Sequence, residues 1–366
     1  MAIWLKSIAP QPQGSSHVIR LGIVGNNYGR TVHLPAFRAD PRCHVVALAG
    51  SDAARTATLA RASNIPKAHC SWQALVEDAE IDAVAIATLP SLQPDIAIRA
   101  LALGKPVFAE KPLASTLEAA HAMLEAARAS GKPTMVDFNF TQIMAWLRAK
   151  EMLDSGTLGR LRHIAVHWHV ENRAVQQRLR NWKTAGDSGG GVLGNFVSHC
   201  FYYLEWFAGP LAALSAQVSG LPDDPALETT AAMALRFESG LAASLSMSCA
   251  SFAGLGHRIE FFGEDGTLVL HNPTADYMRG FELSIATRGA VQVRLPVQDP
   301  MDAQYVDGRT APVSRLARLW LDAIETGGAC KPGFAEGYRV QQLIEAARRS
   351  HAQGKTVNVA PQTTKT

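Results

Sequence analysis

What this chain is short of narrows it first. Cysteine is scarce: Cys43, Cys70, Cys200, Cys249 and Cys330 are odd in number, far apart and never in a CxxC pair. That argues against a disulfide framework and a structural zinc site, and for a reducing, cytoplasmic setting. No apolar run reaches the roughly 20 residues needed to cross a bilayer, so no membrane association is expected. Charged residues are 18% of the chain, the net charge is only +3, and the arginines are scattered, which leaves a nucleic-acid surface without support. No GxSxG stands directly between a strand and a helix, as a hydrolase elbow requires. No repeat or coiled-coil pattern is present either. The opening stretch MAIWLKSIAPQPQGSS is too short and too weakly apolar for an export signal. It reads as a loose N-terminal tail over 1–16, or as an arm packed on a neighbouring subunit.

What is present is a large apolar complement, 47% of 366 residues, enough for the cores of two domains. Strands expected over 18–24, 44–49, 82–87, 107–109 and 134–138 alternate with helices over 52–61, 94–103 and 117–129, and Ser71 caps another helix. That alternation is the signature of a doubly wound parallel sheet. After residue 140 the pattern changes to alternating strands bounded by Glu-Ser-Gly, Glu-Asp-Gly and Arg-Gly turns, the mark of antiparallel hairpins. A final helix is expected over 337–350. The predicted fold is an α/β Rossmann-like nucleotide-binding domain over 17–140. An α+β domain with a large, predominantly antiparallel sheet follows over 141–366, for substrate binding and oligomerisation.

The segment IRLGIVGNNYGR puts a strand before a tight turn and a helix, the context a dinucleotide fingerprint requires. Gly25 holds the first glycine position, Asn27 the second and Arg30 the third, with Tyr28 and a displaced Gly29 between them. Asn tolerates positive φ, so the turn can survive the change. Arg30 either adds charge for a pyrophosphate or lies on the solvated face. At the end of the second strand, Gly50 and Ser51 stand where an acid for the ribose 2′-hydroxyl is most expected, and Asp52 and Arg55 follow. A small polar residue with an arginine suits a 2′-phosphate and Asp52 suits a free hydroxyl, unless Asp52 is only a helix cap. NADP or NAD is the expected cofactor, with NADP preferred. VFAEKPLAS then delivers Glu110 and Lys111 to a strand end just before Pro112. Such a lysine can stabilise negative charge on a reacting oxygen; the alternative is that it only pairs with Glu110.

The order of these motifs resembles the Gfo/Idh/MocA family of NAD(P)-dependent oxidoreductases over about 18–352. The resemblance rests on the GIVGxNxxxxxxHLPAF opening, the Ile86–Thr88 IAT, ALALGKPVFAEKPLA, DSGTLGRLRHI, GGGxxxNxxxH over 189–199 and IEFFGEDGTLVL. It implies that Thr88 and Glu110 lie beside the cofactor and that Lys111 lies near the nicotinamide and the reacting carbon. It also implies that Asn195 and His199 face the substrate, with Asn195 standing where the family usually has aspartate. Leu89, Pro90 and Gln93 replace the common Pro-Asn and His, and Phe140 and Thr141 stand where an arginine often follows.

An imidazole with a near-neutral pKa can move a proton in either direction, so His199 is the acid/base candidate, unless it is a core histidine. Asn195, four residues earlier on the same helical face, can bond a substrate but cannot take up a proton. His163, His167 and His169 share one face of a strand. With no complementary acid or cysteine at obvious spacing, a subunit contact or the approach to the site is the more ordinary reading, and no metal site is expected. The loop ENRAVQQRLRNWK brings Arg173, Arg178, Arg180, Trp182 and Lys183 toward the glycine-rich turn. It either recognises a polyhydroxylated or anionic substrate, with Trp182 packed on a sugar-like ring, or is merely solvated. The reading favoured is an NAD(P)-dependent dehydrogenase or reductase acting on the CH–OH group of a sugar, polyol or related compound, as a homodimer or homotetramer. The alternative is a noncatalytic protein that senses nucleotide or sugar on the same fold.

Overall fold

In the computed structural model, which describes residues 18–361, the first third of the chain builds one parallel sheet. The N-terminal tail lies outside the described residues. The strands are β1 (Ile19–Val24), β2 (Cys43–Ala49), β3 (Lys67–His69), β4 (Ala83–Ile86), β5 (Val107–Ala109) and β6 (Thr134–Val136), in the order β3-β2-β1-β4-β5-β6. Every pairing is parallel. The order reverses between β1 and β4, and the crevice beyond the carboxyl ends of those strands is where such a sheet binds a ligand. The helix caps are the expected ones. Asp52 accepts from the Arg55 amide, Ser71 from the Ala74 amide, and Gly131 closes helix Leu117–Ser130.

The second sheet has nine strands. They are β7 (Leu161–His169), β8 (Leu211–Leu221), β9 (Asp224–Phe237), β10 (Ala242–Ser248), β11 (Gly256–Gly263), β12 (Gly266–Asn272), β13 (Glu282–Thr287), β14 (Val293–Leu295) and β15 (Val357–Asn358). The order is β14-β13-β12-β11-β7-β10-β9-β8-β15. It is antiparallel except where β7 runs parallel to β10. The period-2 pattern explains the sidedness: along β9, Leu227, Thr229, Ala231, Met233, Leu235 and Phe237 face inward and their neighbours face out. Helices Ser198–Ala208, Phe334–Gln353 and Met144–Asp154 cover the inner face. The outer face carries His163, His167 and His169 beside Ser244, Ser246 and Ala234, with no element packed over it among the described residues.

The elements missing from the sequence reading include β3, the two-residue edge strand β15 and one long helix. β3 is short and half-exposed and carries little apolar signal. Helix Thr310–Thr326 is a larger omission, because it fills one face of the parallel sheet. There Trp320 meets Phe37 and Phe108 edge-on at 5.7 and 5.8 Å, with Val313, Leu316 and Leu321 buried beside it. A segment far along the chain therefore completes the core of the nucleotide-binding unit. Among the described residues no helix is long and apolar enough to cross a membrane.

Candidate active site

The loops at the carboxyl ends of β1, β2, β4, β5 and β6 form one wall of a cleft of about 1120 Å³, and the second unit forms the other. A single small-ligand site occupies roughly 300–1,000 Å³, so the space suits a dinucleotide together with a small substrate. Gly25, at φ 125°, turns the chain at the crevice, and a Cβ there would lie 2.2 Å from the Ala87 carbonyl oxygen. Only glycine permits that approach.

Gly25, Asn27, Tyr28, Ser51, Asp52, Arg55, Thr88, Glu110, Lys111, Trp182, Asn195 and His199 all line this cleft. Gly29 and Arg30 do not. Gly29 opens the first helical turn and packs on β1, where a Cβ would meet Ile23 at 2.7 Å, and Arg30 is half-buried outside the lining. Asn27 does not adopt positive φ, so the expected reason for its tolerance does not apply. Instead its side-chain oxygen accepts from Arg55 at 2.9 Å. Asp52 caps its helix as the simpler reading held.

Lys111 is held from two sides. Gln93, fully buried, donates its amide to the carbonyls of Glu110, Pro112 and Leu113, pinning the loop that carries the lysine. The Lys111 ammonium donates to the Asn195 carbonyl at 2.9 Å, so the lysine ties the parallel sheet to the glycine-rich turn. Burial, resisted by Glu110 and assisted by Lys183, brings its pKa down to about 8. It does not pair with Glu110. That carboxylate bonds His33 at 2.9 Å, and Asp137 stands 3.5 Å from the same nitrogen. Burial works against the His33 charge, but the hydrogen bonds to Asp137 and Glu110 outweigh it and lift the imidazole to about 9. Burial, and then Asp137, lifts the Glu110 carboxyl above its ordinary range. Tyr28 donates to Asp137 at 3.2 Å and lies under the Arg309 guanidinium. The His33, Glu110 and Asp137 ligand atoms fall within 4.8 Å of one another, a spacing open to a metal, and a proton shared by the imidazole and two carboxylates satisfies the same atoms.

His199 follows a wide π-helical turn, Leu193–Val197, of the kind often found at functional sites. It is 7% exposed and ringed by Phe138, Phe140 and Trp168. The near-neutral titration expected of it is overturned by these surroundings. Burial, then the charges of Lys111 and His257, push its pKa well below the ordinary value, so the ring is neutral. Its Nδ1 has no hydrogen-bond partner among the described residues.

The arginine-rich loop divides. Arg173, Trp182 and Lys183 line the cleft, whereas Arg178 and Arg180 pair with Asp223 and Asp224 and fasten the loop to the β8–β9 hairpin. The three strand histidines lie outside the cleft, with His163 on Ser244 and His169 on Ser246. Sequence reasoning missed Asp137, Asn139 and Arg309. The rule that strand carboxyl ends build the site, applied to β6 as it was to β5, would have found the first two.

The description "Oxidoreductase family, NAD-binding Rossmann fold" of the GFO/IDH/MocA model fits residues 19–138, and that of the GFO/IDH/MocA C-terminal domain fits 146–269. The chain belongs to the GFO/IDH/MocA family. This family member is 28% identical to an inositol 2-dehydrogenase of Saccharopolyspora erythraea, over 94% of its own length and 96% of that protein's. It is 26% identical to the levoglucosan dehydrogenase of Pseudarthrobacter phenanthrenivorans, over 93% and 98%. An uncharacterised oxidoreductase of Synechocystis is 29% identical over 93% and 96%. In three dimensions the GFO/IDH/MocA fold of a levoglucosan dehydrogenase solved with NADH superposes with a TM-score of 0.84, at 24% identity, over 94% of this chain and 99% of that one.

Proposed function

We propose that the protein transfers a hydride between NAD(P) and the CH–OH carbon of a sugar, polyol or related hydroxylated compound. The observation that carries this is a single cleft in which Lys111, held by Gln93 and Asn195, faces both the nucleotide turn and His199. Relatives that oxidise inositol and levoglucosan support the substrate class. The nucleotide-binding unit is assigned to the stretch up to residue 140 and the substrate unit to the stretch from 141 on, with helix Thr310–Thr326 lent back to the first.

Bound nicotinamide supplies the hydride acceptor or donor; the chain must position the substrate and manage one proton. Lys111, titrating near 8, lies in the range where a group can give and take a proton efficiently. It orients the reacting oxygen and, as the ammonium, offsets negative charge there. Neutral His199, whose Nδ1 has no partner among the described residues, is left free to hydrogen-bond substrate, and Asn195 to hold a substrate hydroxyl. The acid/base role therefore shifts from His199 toward Lys111. Ser51 and Arg55 line the ribose end and Asp52 is engaged as a cap, which favours NADP over NAD. The open face of the second sheet is assigned to a homodimer or homotetramer, and five unpaired cysteines suit a cytoplasmic setting.

Calorimetry with NAD, NADH, NADP and NADPH, followed by an absorbance screen of sugars and polyols, tests the reading. Tight binding of a nicotinamide and turnover of at least one polyhydroxylated substrate are expected. Failure of all four nucleotides to bind at saturating concentration would refute it in favour of a noncatalytic protein.

A further inference from the structure

The cleft is chemically uneven from end to end. Its acids among the described residues are Asp52, Glu110 and Asp137. Asp52 is committed to a helix cap, and the other two are turned onto His33. The wall made by the loop after β7 supplies no acid to the lining; it supplies Arg173 and Lys183. Arg309 is matched by a two-point pair with Asp307. Lys111 and Lys183 have no such match among the described residues: Lys111 bonds a backbone carbonyl and Lys183 lies 5.8 Å from the Trp182 ring centre. Lys183 is exposed as a residue, yet desolvation around its ammonium, and then Arg309, lower its pKa. Like charges gathered along one cleft repel one another, and a bound anion relieves that repulsion. Asn172 and Asn181 spend their side-chain oxygens on backbone caps, which leaves their NH₂ groups as donors at the same end.

We propose that the substrate of this site is an anionic sugar derivative, a polyhydroxylated chain or ring bearing a carboxylate or a phosphate, with Lys183 as its principal charge partner. This rests on the oxidoreductase reading above. A neutral polyol would leave the Lys183 ammonium, which lines the cleft, without an opposite charge. A dinucleotide meets its own anion site at the Gly25 turn, on the opposite wall.

The test is calorimetry on the NADH-saturated protein with matched probes: neutral pentoses and hexoses, the uronic or aldonic acids derived from them and their phosphate esters, and inositol with its phosphate esters. At least one anionic member is expected to bind tenfold or more tighter than its neutral parent, the scale of a charge-assisted hydrogen bond. The acid and phosphate arms identify which anion is read. Lys183→Gln should reduce that ratio to within about threefold, with NADH affinity serving as the check on folding. The proposal is overturned if neutral sugars bind as tightly as their acids and esters, or if no anionic probe binds. It is also overturned if the Lys183→Gln loss falls equally on neutral and anionic probes, or on NADH instead. Absence of NADH binding to the wild type is a separate result, and it refutes the oxidoreductase reading itself.

Discussion

Lys111 is the residue proposed to carry the chemistry, and its buried environment sets what a pH profile should look like. With a pKa near 8, the neutral amine that can accept a proton grows as pH rises through that value. The kcat/KM for alcohol oxidation should therefore climb through about pH 8 and level above it. Lys111→Met should lower kcat about 100- to 1000-fold, the scale for removing one preorganised donor, and erase that inflection while nucleotide affinity changes little. Steady-state rates from pH 6 to 10 check this; a variant that keeps the inflection would assign it to another group. Asn195→Asp tests the same site from the other side. A carboxylate beside the ammonium favours its charged form, so the inflection should move to higher pH. His199→Ala should lower the rate without removing the inflection, because the imidazole is already neutral.

At the scale of elements, helix Thr310–Thr326 links the core to the site. Its buried face holds Trp320 at zero exposure, with the indole donating to the Pro133 carbonyl at 3.2 Å. Its amino end carries Arg309 into the cleft. Trp320→Ala should cost about 3–5 kcal/mol, the usual range for emptying a large aromatic site, read as a lower urea midpoint. This helix was legible: apolar residues at 313, 316, 317, 320, 321 and 324 form one stripe, and Gly327 supplies the left-handed stop. Pro312 in its first turn obscured it, although proline is tolerated there. Strands with clear alternation, such as β9 and β10, were readable to within a few residues because burial of one face enforces the period.

For the whole molecule, stability should carry the signature of the buried His33 cluster. The His33 pKa rises from 6.5 to about 9 on folding, so its contribution is complete below 6.5 and is lost as pH climbs toward 9. Below 6.5, His199 and His257, both held neutral, act in the opposite sense. Above 8, Lys111 also opposes it. Between pH 7 and 8 the unfolding free energy should therefore fall, by about 1.4 kcal/mol per unit from His33 alone, with the raised Glu110 carboxyl acting in the same direction. His33→Gln should flatten that fall in urea titrations; an unchanged slope would place the linkage elsewhere. The outer sheet face sets a second test. Ala234, small and exposed near its middle, should tolerate Glu in a monomer. In a dimer built on this face, Ala234→Glu should lower the mass measured by light scattering toward one chain.

The amino-acid order by itself determined the two-sheet architecture, the glycine turn and the arrival of Lys111 at a strand end. Each of these follows from local rules: the period of burial, the φ that only glycine adopts freely, and the carboxyl-edge geometry of parallel strands. Tertiary structure decided the rest, because it depends on what packs together from distant positions. His33, at the end of the helical turn Gly29–His33, meets Glu110 and Asp137, just past β5 and β6, only because the parallel sheet brings three distant segments together. Arg309 reaches the cleft only because its helix returns to the first sheet. His199 loses its near-neutral titration only because Phe138, Phe140 and Trp168 close around it, and desolvation by neighbours is not written in the spacing of any one segment.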